Sequence, residues 1–220
     1  MEKAFGQGDP KLSAYAERVF KPEDAVLAEI RERSTREGLP EIQVGRMDGL
    51  LLELLARASG ARKAVEIGTL GGYSGVCLLR GMGPAASLHT CELSEHHAEV
   101  ARKSFELAGV AQQAKVLVGP ALKTLPSLDA EGPFDLCFID ADKESYPAYL
   151  EWAASHLRIG GTVLADNTFA WNQIADVPSG KGAEGIRALQ AFNSTIAQDP
   201  RFRATILPTS EGLTMGVKLR

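Results

Sequence analysis

With 220 residues, the chain has room for one α/β domain with a full-sized core and little beside it. Hydrophobic residues at 45% and charged residues at 24% exclude a disordered or fibrous chain. A formal net charge of −4 excludes the basic footprint of a protein that grips nucleic acid or an anionic membrane.

The first sixty residues read as a helical extension, with apolar residues at helical spacing over Pro22–Arg36 and Arg46–Ala58. Short apolar runs rich in Val, Ile, Leu and Phe follow at Ala64–Gly68, Ser87–Leu93, Ala114–Gly119, Phe134–Asp140 and Thr162–Asp166. Bounded by Gly, Pro or acidic residues, such runs predict buried parallel strands. Amphipathic segments such as Ser94–Ala108 and Tyr146–Leu157 lie between them, the first with Ser94 as N-cap and Gly109 as stop. This β-α-β-α alternation predicts an open, mostly parallel sheet with helices on both faces, Rossmann-like in plan. After a helix over Ala183–Ala197, Ala204–Pro208 and Leu213–Leu219 flank the short turn Thr209–Gly212, which predicts an antiparallel hairpin at the sheet edge. No repeat or linker divides the chain, so residues 1–220 are expected to form a single domain. No apolar run reaches the length of a transmembrane helix and Met1 to Phe5 does not open a signal peptide, so the expected setting is the cytoplasm, without membrane attachment.

Chemistry concentrates at the carboxyl ends of the strands, where ligands bind in open α/β sheets. The first strand runs into Val65-Glu-Ile-Gly-Thr-Leu-Gly-Gly-Tyr-Ser74. Glycines there let the backbone approach a nucleotide-like ligand, but the spacing Gly68, Gly71, Gly72 is not the Gly-x-Gly-x-x-Gly of dinucleotide folds. Glu66 before the first glycine would repel a pyrophosphate and suits a ligand bearing an ammonium and a sulfonium, which favours S-adenosylmethionine over NAD. Glu92 ends the second strand, where an acidic side chain takes both ribose hydroxyls.

The fourth strand ends in Asp140, with Asp142 and Lys143 close behind, and the fifth ends in Asp166-Asn167. If those strands adjoin, Asp140, Asp166 and Asn167 form an all-oxygen set suited to a hard cation, Mg²⁺ best, with Mn²⁺ or Ca²⁺ as alternatives. Mg²⁺ retains positions for a substrate's two adjacent oxygens. By contrast, His96 and His97 sit side by side at a helix start and point to different faces. Cys77, Cys91 and Cys137 form no Cys-x-x-Cys pair and read as buried hydrophobes in a reducing compartment.

Taken together, Val65 to Ser74, Phe134 to Lys143 with its Asp-Ala-Asp-Lys, Gly160 to Asn167, Asn193 to Arg203 and Pro208 to Lys218 resemble the metal-dependent O-methyltransferases related to caffeoyl-CoA and catechol O-methyltransferase. The resemblance covers roughly residues 40 to 220. It implies a seven-stranded methyltransferase fold and a homodimer. It places Val44, Glu66, Gly68, Thr69, Ser74, Glu92, Ala121 and Asp140 near the cofactor S-adenosylmethionine, and Asp140, Asp166 and Asn167 on the metal. Lys143 matches the family's proposed catalytic base. The segment Thr168-Phe-Ala-Trp171-Asn172 departs from the family, with its tryptophan one place late and no glycine after it.

The expected reaction carries the methyl group of S-adenosylmethionine to a hydroxyl of a catechol-like small molecule, with Asp140 and Lys143 as the catalytic pair and a divalent metal lowering the pKa of the acceptor. Lys143 either removes the proton, if neutral, or steadies the phenolate, if charged. The competing readings are an NAD(P)-dependent oxidoreductase on a Rossmann fold, disfavoured by the glycine spacing and Glu66, a macromolecule methyltransferase, disfavoured by the charge balance, and a non-catalytic S-adenosylmethionine-binding protein, disfavoured by the full acidic set.

Overall fold

The structure, a computed structural model, describes residues 10–220. Seven strands form one sheet: β1 (Lys63–Ile67), β2 (Ser87–Glu92), β3 (Ala114–Val118), β4 (Phe134–Ile139), β5 (Leu157–Ala165), β6 (Phe202–Leu207) and β7 (Leu213–Lys218). Their order is β3-β2-β1-β4-β5-β7-β6. The first five run parallel, and β7 pairs antiparallel with both β5 and β6. The expected sheet, its antiparallel edge and its seven strands are therefore all present.

The helices are α1 (Pro10–Phe20), α2 (Ala25–Arg36), α3 (Arg46–Ala58), α4 (Tyr73–Met82), α5 (Glu95–Leu107), the single turn α6 (Ala121–Thr124), α7 (Tyr146–His156) and α8 (Ala183–Gln198). Strand alternation divides the core in two. Val65, Ile67, Cys137, Ile139, Val163 and Ala165 face α7 and α8, where Tyr146, Leu150, Leu189 and Phe192 cover them. Ala64, Leu136, Phe138 and Leu164 face the other way, under Leu27 and Ile30 of α2, Leu52 of α3, Leu78 of α4 and Phe105 of α5. Both faces of the central strands are thus dry, which is why they read as unbroken apolar runs. The three cysteines are free and buried, as expected. Among the described residues no helix is long and apolar enough to cross a membrane.

Two boundaries differ from the sequence expectation. β5 starts at Leu157, five residues early, because Leu157 pairs with Phe134 before a register shift brings Thr162 opposite Leu136. The extra residues include Gly160 in the left-handed region (φ 78°), so the bulge that reads as a turn lies inside the strand. Among the described residues the N-terminal extension contains three helices rather than two, with α1 preceding the pair expected.

Candidate active site

One cavity of about 1210 Å³ opens over the carboxyl ends of the central strands. Its floor is the loop from β1 to α4. Ile67 O accepts from Asp140 N at 2.8 Å, and Gly68 N donates to Cys91 O at 3.0 Å, so the ends of β1, β2 and β4 are laced by backbone bonds. Gly68 has φ 102°, and a Cβ on it would collide with the Asp140 carbonyl oxygen; only glycine fits both constraints. Gly71 is required for a different reason, since a Cβ there would run into Ser34 Oγ of α2, which roofs the loop. The N-terminal extension is therefore part of the site, and Arg31 and Ser34 join its wall.

α4 begins at Tyr73 with Gly72 at its N-cap and no side-chain cap. Its first N–H groups, lacking partners in the helix, suit a carboxylate. Glu66 lies one layer below. It is wholly buried and does not line the cavity; Ser74 Oγ donates to its Oε1 at 2.6 Å and Thr90 Oγ1 to its Oε2 at 2.6 Å. Burial pushes its pKa up to about 7, the two hydroxyls oppose that rise, and the charges of Asp140 and Glu92 add to it. Glu66 thus reaches the cavity through Ser74, which does line it.

Glu92 faces the cavity, but its carboxylate is already engaged. Its Oε2 accepts from the backbone N–H of Leu70 at 2.7 Å and of Thr69 at 3.3 Å, and its Oε1 accepts from that of Ser94 at 3.0 Å. His97 Nδ1 stands 3.4 Å from Oε1. The residue expected to hold a ribose therefore holds the glycine loop in shape, a role the sequence does not show.

The other end of the cavity carries the acids of β4 and β5. Asp166 N donates to Ile139 O at 3.0 Å, so the two strand ends adjoin as expected. Asp140, Asp142, Lys143 and Asn167 line the cavity, whereas Asp166 does not. Asp166 is buried beside Val44, Asp48 and Thr209, on the Phe138–Leu164 face of the sheet. Asn167, with φ 59°, turns away from the strand, and its Nδ2 donates to Glu211 Oε2 at 2.9 Å. Lys143 Nζ stands 3.0 Å from Asp140 Oδ1 and donates to Tyr146 Oη at 2.8 Å. Among the described residues no three His, Cys, Asp or Glu side chains are grouped as a metal centre. The donor chemistry still suits a hard cation: Asp140 and Asn167 present oxygens to the cavity and the Asp166 carboxylate sits at the adjoining strand end, an all-oxygen set.

Val44, Gly68, Thr69, Ser74, Glu92, Ala121 and Asp140 are thus brought to one cavity together with Lys143 and Asn167. The lining residues that sequence reasoning did not single out include Arg31, Ser34, Tyr73, Tyr149, Ser210 and Glu211. For Tyr149 a signal existed, since the Tyr146–Tyr149 spacing places both on one helix face. For Ser210 and Glu211 there was none, because they arrive through the β6–β7 turn.

The family model described as "O-methyltransferase" matches residues 14–219, further toward the N-terminus than the resemblance in the motifs alone. A catechol O-methyltransferase of Mycobacterium tuberculosis is 41% identical over 201 residues, 91% of this chain and 89% of that one. A second, from Niastella koreensis, is 36% identical over 84% of this chain and 83% of its own. The crystal structure of an O-methyltransferase from Bacillus cereus in complex with SAH superimposes with a TM-score of 0.88 at 35% identity, covering 94% of this chain and 97% of that one.

Proposed function

Given that the chain belongs to the O-methyltransferase family and is an S-adenosylmethionine-dependent O-methyltransferase, we propose that its acceptor is a catechol, an aromatic ring with two adjacent hydroxyls, and that transfer depends on a divalent cation. The observation that carries this reading is the meeting, in one cavity, of the glycine loop and Glu92 at one end with Asp140, Lys143 and Asn167 at the other. Two relatives named catechol O-methyltransferase support it. Asp140, Asp166 and Asn167 would hold the cation, which when bound would supply Lewis acidity to a coordinated hydroxyl.

The remaining chemistry belongs to the chain's own side chains. The methyl group is activated by the positive sulfur of the cofactor, so the enzyme's task is to bring an acceptor oxygen into line with the carbon–sulfur bond. The glycine loop and the α4 N-terminus hold the methionine end of the cofactor, with Glu66 charging in response to its cation. Glu92 takes the ribose side. Lys143 meets the acceptor oxygen, and Trp171, half exposed at the cavity mouth, offers a flat apolar wall for the ring. The breaking carbon–sulfur bond leaves its electron pair on sulfur, the acceptor oxygen supplies the pair for the new carbon–oxygen bond, and the acceptor's proton passes to Lys143 if that amine is neutral and otherwise to solvent.

The test compares rates on a catechol and on the matching monophenol, with and without EDTA. A single hydroxyl leaves the ring free to swing, and misplacement by about 1 Å costs on the order of 10²-fold. The expected result is a catechol rate higher by about that factor and abolished by EDTA. Equal rates on both acceptors, indifferent to EDTA, would overturn the reading. The same reading includes a homodimer, supported by Leu12, Tyr15, Val19 and Phe20, which leave an exposed apolar face on α1. Light scattering is expected to give twice the 23.5 kDa chain mass, and a monomer mass removes the dimer.

A further inference from the structure

Tyr146 is the first residue of α7 and is completely buried, its ring edge-on to Phe192 with 5.5 Å between centroids. A buried phenol hydroxyl is retained only where it finds partners, and this one finds three, all at the reacting end of the sheet. It donates toward Asp166 O at 3.0 Å and Ile139 O at 3.3 Å, the ends of β5 and β4, and accepts from Lys143 Nζ at 2.8 Å. Its proton is directed at the two backbone carbonyls, and its oxygen is left to receive Lys143.

Beyond its bond to Cε, the Lys143 nitrogen has three tetrahedral positions. Asp140 Oδ1 at 3.0 Å takes one and Tyr146 Oη takes a second. Whether the third holds a proton or a lone pair, its direction is then settled by the other two. With Asp140 alone, two positions would stay open and the lysine could meet the acceptor through either. We propose that Tyr146 is a positioning residue for methyl transfer: by binding Lys143 from the buried side, its hydroxyl fixes the direction in which the lysine meets the acceptor oxygen.

This rests on the reading of Lys143 as the residue at the acceptor oxygen, and the experiment separates the two. Full-length wild type, Tyr146→Phe, Lys143→Met and the double variant are assayed on 3,4-dihydroxybenzaldehyde, whose two hydroxyls give distinguishable products. Tyr146→Phe is expected to lower kcat by about tenfold or more and to shift the ratio of the two products, with SAH affinity unchanged. Added to Lys143→Met it should change nothing further, since a residue acting through another loses its effect when that other is removed. Acetic anhydride labelling, read by peptide mass spectrometry against the other lysines, should modify Lys143 faster in Tyr146→Phe, and this readout needs no turnover. Tyr146→3-fluorotyrosine keeps the packing and weakens the acceptor, should give intermediate values, and is the variant read if the Phe form does not fold.

If Lys143→Met keeps wild-type turnover, the reading of Lys143 fails and the inference with it. If Lys143→Met is inactive while Tyr146→Phe has wild-type kcat and product ratio, the inference alone is overturned. A kcat loss matched by an equal loss of SAH affinity shows a purely structural role and overturns it too. If wild type does not turn over the catechol, the labelling decides, and an unchanged Lys143 rate overturns the inference.

Discussion

Lys143→Met is expected to lower kcat on a catechol by about 10²- to 10⁴-fold, the usual worth of a positioned acid or base, while SAH affinity stays within a few-fold. The side chain is 13% exposed, and it contacts Asp140 at 3.0 Å and Tyr146 at 2.8 Å. It hydrogen-bonds neither the glycine loop nor Glu92, so the cofactor end should not register its loss. Methionine has similar length and packs where the lysine stem packs, which limits the change to the nitrogen. The removed group leaves the Asp140 carboxylate and the Tyr146 hydroxyl without their shared donor. Rapid-quench turnover and SAH calorimetry on the same preparation separate the two effects. Near wild-type turnover would make Lys143 a bystander.

The second large effect concerns Glu66 and acts on stability and cofactor binding in opposite directions. In the unfolded chain its carboxyl titrates at the ordinary 4.5; in the folded protein burial raises this to about 7. The native state therefore holds a proton that the unfolded state has released. Its contribution to stability is fully present below about pH 4.5 and is lost as pH rises through about 7, by on the order of 3 kcal/mol. Glu66→Gln cannot ionise and should show no such loss. Differential scanning calorimetry of both cofactor-free proteins at pH 5 and pH 8 is the check. Relative to the variant, wild type should lose roughly 5–10 °C in Tm between the two pH values. The amide cannot turn negative beside the cationic cofactor, so at pH 8 the variant should bind S-adenosylmethionine about tenfold more weakly or worse. The loss should be smaller for SAH, whose sulfur is neutral. Parallel pH profiles of the two proteins would remove Glu66 as the titrating group.

The central strands and the hairpin were readable in the sequence because each is written in local chemistry. β1, β2 and β4 are buried on both faces and so carry unbroken apolar runs, while the β6–β7 turn is marked by Gly212 between two such runs. β5 began early because Arg158-Ile-Gly-Gly161 has the composition of a turn, and only the pairing of Leu157 with Phe134 reveals a strand there. α1 was not distinguished because its apolar residues Leu12, Val19 and Phe20 remain exposed rather than joining the core. At the site, strand ends told which acids gather but not which way each points. Asp140 and Asp166 share a parity, yet Asp140 opens on the cavity and Asp166 sinks beside Val44. Glu66 was read as facing a ligand, because nothing in Val-Glu-Ile-Gly says that Ser74 and Thr90 close over it. The part Glu92 plays in holding the glycine loop was hidden for the same reason, since its partners at Thr69 and Leu70 are backbone groups.

The collision that keeps Gly68 a glycine has a bearing on how this enzyme can diversify. The loop that seats the methyl donor touches the Asp140 peptide directly, and Asp140 N bonds Ile67 O. On the proposed reading, the donor seat and the strand end that faces the acceptor are thus joined through one stretch of backbone. Ile42, Trp171, Asn172 and Ser210 line the same cavity outside the β1–β4 seam. If the acceptor lies against those four positions, exchanges there would be expected to retune which acceptor is admitted while leaving the β1–β4 seam untouched.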